Sequence, residues 1–301
     1  MKKICVICSM FLALLLLGTA VPLVQGYPVS VTWGPSWYPP GYLPGYNPTW
    51  FELYEQPAQS HTTSHITNLV SQAGTNWVGK NNYGPTTIAT NVYANSQAIQ
   101  SSSAYDFLAT FHVGDFYPTT INGVTHYAYY GHGGTNTGIV DKDLATYIGT
   151  RHKFTFIWTC VNGGLNIKPN GGYYYLDPQL KVVGMPYAWI QKSNLAWFGY
   201  TNPDNSGYAY IGFENTSKYL TDNTEFITYN YGDFCRQFYY YFLVQHYSVK
   251  DALDAASAQV MGGSAYTFAN TVLYLGYPDP SGSGRTCCMR VLGDGNMVLP
   301  Y

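Results

Sequence analysis

The chain has 301 residues and a formal net charge of −2 at pH 7, with 14 Lys and Arg against 16 Asp and Glu. That balance offers no basic surface for a phosphate backbone and argues against a nucleic acid partner. Only 10% of residues are charged while Tyr alone numbers 31, against about 25% charged in ordinary globular proteins, so hydroxyl and amide side chains must solvate the surface, as suits an extracellular and even an acidic medium.

Residues 1–26 read as an export signal: Lys2 and Lys3, an apolar core from Ile4 to Leu17, then the small residues Val24 and Gly26 ahead of Tyr27. No later stretch approaches the ~18 uninterrupted apolar residues of a membrane span. A secreted protein is expected, extracellular or on the cell surface, with no stable membrane insertion once the signal is removed. Residues 27–60 form an arm rich in Pro, Tyr and Trp, where residues of fixed φ are too frequent for a helix. The arm is a candidate pro-segment, and 61–301 is read as one domain.

Within that domain apolar strands alternate with helices. His61–Gln72 carries helical spacing at Ile66, Leu69 and Val70, and Asn91–Gln100 is a second helix candidate. "YDFLATFHV" (Tyr105–Val113) and "HYAYYG" (His126–Gly131) are strands, and "VDKDLATYIG" (Val140–Gly149) is a helix with Asp141 as its N-cap. "KFTFIWTCV" (Lys153–Val161) is a third, continuously apolar strand; "NLAWFGY" (Asn194–Tyr200) and "GYAYIGF" (Gly207–Phe213) are two more. Long helices follow over Glu225–Tyr247 and, capped by Ser248, over Val249–Met261; "NTVLYLGYP" and "MRVLGDG" close the chain as short strands. Continuous apolar runs suit strands covered on both faces, so the expected fold is α/β: a three-layer sandwich whose central, mostly parallel sheet carries helices on both sides.

Ligands of open parallel sheets bind beyond the carboxyl ends of the strands. His132 follows one strand candidate and Cys160 ends another. A cysteine attacks as its thiolate and needs a neighbouring base, for which His132 is the candidate. Gly133, Gly134, Gly163 and Gly164 let the backbone approach a substrate carbonyl, and the amides of Gly133 and Cys160 are candidate oxyanion donors.

The pair "YYGHGG" (Tyr129–Gly134) and "FIWTCVNGG" (Phe156–Gly164) resembles the signature of caspase-fold cysteine peptidases, within them the gingipain-like branch. "RVLGDGNMVL" (Arg290–Leu299) resembles the Gly-Asp ending of such domains, so the resemblance spans about Tyr105–Leu299. It implies a cysteine-type endopeptidase acting on protein or peptide substrates, with Cys160 as nucleophile, His132 as general acid and base, and the Gly133 amide in the oxyanion hole. Relatives directed at Arg or Lys use an acidic specificity residue; Asp115, Asp141 and Asn162 are the candidate substrate contacts, with Asp143 and Asp177 as further loop acids. No cofactor and no catalytic metal is implied, although a structural calcium ion is a candidate.

Cys160 is expected to keep its thiol, whereas Cys235 is within reach of a bridge to Cys287 or Cys288. "NTS" at Asn215 is a glycosylation acceptor sequence. The rival reading is a non-catalytic, caspase-folded extracellular or cell-surface protein that binds through its abundant aromatic residues.

Overall fold

In the computed structural model the first helix among the described residues is α1, Gln56–Gln72. Strands β1 (Leu108–Val113), β2 (Asp115–Ile121), β3 (Val124–Tyr130) and β4 (Gly138–Val140) follow, then the single turn α2 (Asp141–Leu144) and strand β5 (His152–Trp158). Helix α3 (Met185–Ile190), strand β6 (Ala209–Phe213), helix α4 (Tyr231–Tyr239) and helix α5 (Val249–Ser257) come next. A short helix α6 (Val272–Leu275) and strands β7 (Tyr277–Pro278), β8 (Thr286–Cys287) and β9 (Met289–Gly293) end the order. The residues described are 55–73, 93–94, 97, 108–113, 115–121, 124–130, 138–163, 184–191, 199–221, 230–279, 282 and 286–299. The export signal, the arm before Glu55, His132, Gly133 and Asp177 lie outside them, as does most of the expected helix at Asn91–Gln100 and of the expected strand at Asn194–Tyr200.

The fold is mixed α/β. β1, β5, β6 and β9 form a four-stranded sheet in that order, with β1–β5 and β5–β6 parallel and β6–β9 antiparallel. The unbroken apolar runs are explained by two buried clusters that divide each strand by alternation. Phe154, Phe156 and Trp158 of β5, Ala209, Ile211 and Phe213 of β6, and Met289 and Val291 of β9 enter one cluster with Ile66, Leu69 and Val70 of α1. Phe234 and Phe238 of α4 and Ala252, Leu253 and Ala256 of α5 complete it, at spacings of three and four that place them on one helix face. Ile157, Tyr210 and Leu292, from the intervening strand positions, enter the other cluster with Leu144 of α2 and Tyr187, Ala188, Trp189 and Ile190 of α3. Side chains on neighbouring strand positions point to opposite faces, so a strand covered on both sides must be apolar throughout.

Several expectations are corrected. The strand before His132 is read from sequence as a neighbour of β5 in one parallel sheet; β3 lies instead in a separate antiparallel sheet of order β2-β3-β4. Ile121 pairs with Val124, so only Asn122 and Gly123 separate β2 from β3, and Asn-Gly between strands favours a two-residue hairpin. Pro118 is tolerated because β2 is at the edge of its sheet among the described strands. Helix α1 begins at Gln56 rather than His61, with Pro57 in its first turn, where a missing N–H costs nothing. Asp141 is the first helical residue and Val140 the cap position.

The helix expected over Glu225–Tyr247 starts at Tyr231 under an Asn230 cap that accepts the Asp233 amide at 3.0 Å, and it widens into a π-helix over Tyr240–Val244. Ser248 caps α5 as expected, accepting the Asp251 amide at 3.0 Å. "NTVLYLGYP" forms α6 first and pairs only at Tyr277–Pro278, because a short apolar run does not by periodicity distinguish helix from strand. All four cysteines after the signal carry thiols, so the bridge from Cys235 to Cys287 or Cys288 is not formed.

Candidate functional site

Cys160 stands two residues past the end of β5, between the carboxyl ends of β1 and β6. Val113, the last residue of β1, lies opposite Trp158. On the other side the chain leaving β6 folds back over the cysteine. Val161 donates its amide to the Asn215 carbonyl at 2.8 Å, and Gly163 donates to the Phe213 carbonyl at 2.7 Å. The Ser217 amide lies 3.2 Å from Cys160 Sγ and donates to it, and the Ser217 hydroxyl lies 3.4 Å from the same sulfur.

The turn is held under strain. Val161 has φ of 62°, the left-handed region that β-branched residues avoid. Asn162 is buried; its Nδ2 donates to the Cys160 carbonyl at 2.8 Å, and its own carbonyl accepts the Tyr210 hydroxyl at 2.5 Å. Thr159 Oγ1 and Asn162 Oδ1 are buried without a hydrogen-bond partner. Buried polar atoms are ordinarily satisfied, so two orphans on either side of one cysteine distinguish this turn from ordinary packing.

Cys160 is partly exposed and the other three thiols are buried. Burial pushes the Cys235 thiol well above its usual range, and burial likewise raises that of Cys287. Burial, followed by the hydrogen bond from Cys288 Sγ to Glu214 Oε2 at 3.2 Å, moves Cys288 up to about 12. Three thiols are thereby protected from ionisation, and the partly exposed one sits at the carboxyl rim of the parallel strands.

No protein-family model and no curated protein matches the chain. Two of the solved structures to which its backbone is similar are as follows. One is a Geobacter sulfurreducens protein, 11% identical, with a TM-score of 0.43 over 86% of this chain and 97% of that one. The other is caspase-1 from Spodoptera frugiperda, 9% identical, with a TM-score of 0.42 over 88% of this chain and 86% of that one.

The remaining sequence candidates fall at different places. Asp115 opens β2 and pairs with Tyr130, the last residue of β3. Asp141 is fully buried, its Oδ1 accepting the Lys142 amide and its Oδ2 the Gly184 amide, each at 2.5 Å; it ties α2 to the start of α3. His132 and Gly133 lie outside the described residues, so the dyad geometry and the first oxyanion donor are not described. His152 cannot take the role of His132, because it begins β5 and Cys160 follows that strand's far end. Among the described residues no three His, Cys, Asp or Glu gather as a metal site, and no helix there is long and apolar enough to cross a membrane.

One residue that the sequence reading left in the arm belongs with the site. Glu55, at the head of α1, accepts the Leu220 amide at 3.0 Å, the Thr221 amide at 3.1 Å and the Thr221 hydroxyl at 3.0 Å. It pins the far end of the segment that touches Cys160. The near end is pinned by Asp279, which accepts Asn215 Nδ2 at 3.4 Å and Thr216 Oγ1 at 3.1 Å, while Trp158 Nε1 donates to the Lys218 carbonyl at 2.6 Å.

Burial raises the Glu55 carboxyl pKa despite these donors. A raised folded-state pKa favours the protonated form, so its stabilising contribution is complete below the unfolded value and is lost as pH rises through the folded one. Relative to Glu55→Gln, the wild-type protein is therefore expected to lose stability over that rise, measured as urea midpoints across pH. A difference that stays constant with pH would contradict the burial of this carboxylate.

Proposed function

We propose that the chain is a secreted cysteine endopeptidase of caspase-like, gingipain-related architecture, with the three-layer α/β arrangement expected from its sequence. Cys160 Sγ attacks the carbonyl carbon of a peptide bond, and the amides of Gly133 and Cys160 receive the developing oxyanion. As the C–N bond breaks, the imidazolium of His132 gives its proton to the leaving amine. Water, losing a proton to the same imidazole, then hydrolyses the thioester and returns the thiolate.

The observation that carries this reading is the setting of Cys160: a partly exposed sulfur on a strained turn at the carboxyl ends of parallel strands, with an amide and a hydroxyl directed at it. The strand registers support His132 as its partner. Val113 lies opposite Trp158, the chain passes from Val113 to Asp115, and Asp115 pairs with Tyr130. His132 follows Tyr130 by two residues, as Cys160 follows Trp158. The aromatic-rich helix behind the rival binding reading supplies core instead: Phe238, Tyr239, Phe242 and Leu243 are all buried.

Hydrolysis of a mixed peptide library tests the proposal. Wild type is expected to cleave, and Cys160→Ala or His132→Ala to lower turnover by roughly 10³-fold or more, as loss of a nucleophile or its base does elsewhere. Equal cleavage by wild type and Cys160→Ala would leave the binding reading in its place.

A further inference from the structure

The segment that leaves β6 reaches the sulfur across 57 residues of sequence, bringing the Ser217 amide to 3.2 Å from Cys160 Sγ. Its backbone is immobilised at both ends, through Asp279 near Asn215 and Thr216 and through Glu55 at Leu220 and Thr221. The Tyr277 hydroxyl also donates to the Thr216 carbonyl at 2.5 Å. Two donors therefore face Cys160 Sγ from one residue: the Ser217 amide, which can only donate, and the Ser217 hydroxyl, which donates once the sulfur carries no proton.

We infer that Ser217 holds Cys160 as a thiolate, its amide and hydroxyl donating to the sulfur and fixing it for attack. Hydrogen bonds to a charged form favour that form, and a fixed donor pair also sets the direction of the sulfur lone pairs. The charged groups of the surrounding elements have partners of their own: Glu214 accepts Arg290 Nε at 2.8 Å, Asp279 holds Asn215 and Thr216, and Lys218 Nζ lies 4.1 Å from the centre of the Tyr277 ring. The same residue completes the "NTS" acceptor sequence, whose Asn215 amide is occupied by Asp279. The local polar network of that tripeptide thus serves the cysteine.

This inference rests on Cys160 being the reacting group, as proposed above, but its test requires no substrate. The rate of iodoacetamide labelling at Cys160, mapped by peptide mass, is measured against pH for wild type, Ser217→Ala and Ser217→Thr. Ser217→Ala is expected to move the labelling midpoint up by about one pH unit, slowing labelling about tenfold on the acid side, with no loss of rate at the alkaline plateau. Ser217→Thr, which keeps the hydroxyl, is expected to follow wild type.

Superimposable profiles for wild type and Ser217→Ala would overturn the inference, as would a Ser217→Thr shift equal to that of Ser217→Ala. Labelling of buried Cys235 reports any opening of the fold; if Ser217→Ala opens it, Ser217→Gly supplies the hydroxyl-free profile, read by the same criteria. A shifted profile in a protein that cleaves no peptide would sink the peptidase reading alone, and cleavage with an unshifted profile would sink the role of Ser217 alone.

Discussion

Gly163→Ala is expected to destabilise the protein by about 3 kcal/mol or more, the upper end of what overpacking costs. A Cβ built on Gly163 would lie 2.3 Å from the Gly212 carbonyl oxygen, 2.4 Å from its carbon and 2.8 Å from the Phe213 nitrogen. All three are main-chain atoms of β6, a fully buried strand, so no side chain can rotate away to make room. The added carbon must push the turn off the strand. That movement breaks the 2.7 Å bond from the Gly163 amide to the Phe213 carbonyl and carries Cys160 away from Ser217. Gly207→Ala is the control, since its Cβ would meet nothing within 4 Å and only its φ of 68° is strained, which costs roughly 1–2 kcal/mol. Urea midpoints of the two variants decide the matter: equal losses would mean that β6 and the cysteine turn are not in main-chain contact.

Acid is expected to weaken the protein through His152. Its imidazole is buried against Trp189, ring centres 4.8 Å apart, with Nε2 2.8 Å from Thr155 Oγ1. Burial lowers its pKa to about 3, with a smaller opposing effect from a hydrogen bond involving the Phe154 backbone. The folded state therefore binds fewer protons than the unfolded one between the ordinary value near 6.5 and about 3. Stability is complete above that window and falls on descent through it, approaching about 1.4 kcal/mol for each pH unit.

The measurement is the stability difference between wild type and His152→Gln across pH. It should shift steadily against wild type below about pH 6.5, and a flat difference would show that the imidazole takes up its proton as readily in the fold as in the unfolded chain. Glu55 acts in the opposite direction, gaining as pH falls, so the two variants separate effects that merge in a single acid-denaturation curve.

The strands were the most legible part of the sequence. β5 and β6 carry apolar residues at consecutive positions, and that pattern has a direct physical cause in coverage on both faces. The Ser248 cap was equally readable, because a side chain that accepts an amide three residues ahead is a local event. The separation of the His132 strand from the β5 sheet had a signal too, Asn122-Gly123 between two apolar runs, which the expectation of a single parallel sheet passed over.

Sequence also placed Cys160 at the end of a buried strand and separated it in character from the other thiols. It could not supply the surroundings of the sulfur. Ser217 meets Cys160 from 57 residues away, and Glu55 fixes Leu220 from 165 residues away; neither pair has a periodicity, a spacing or a propensity that marks it. Apolar pattern and capping act between near neighbours and are written into short stretches of chain. Contacts of this second kind exist only once the sheet has stacked β6 on β5 and α1 has docked against them, because the bonds form between groups that nothing but packing brings together.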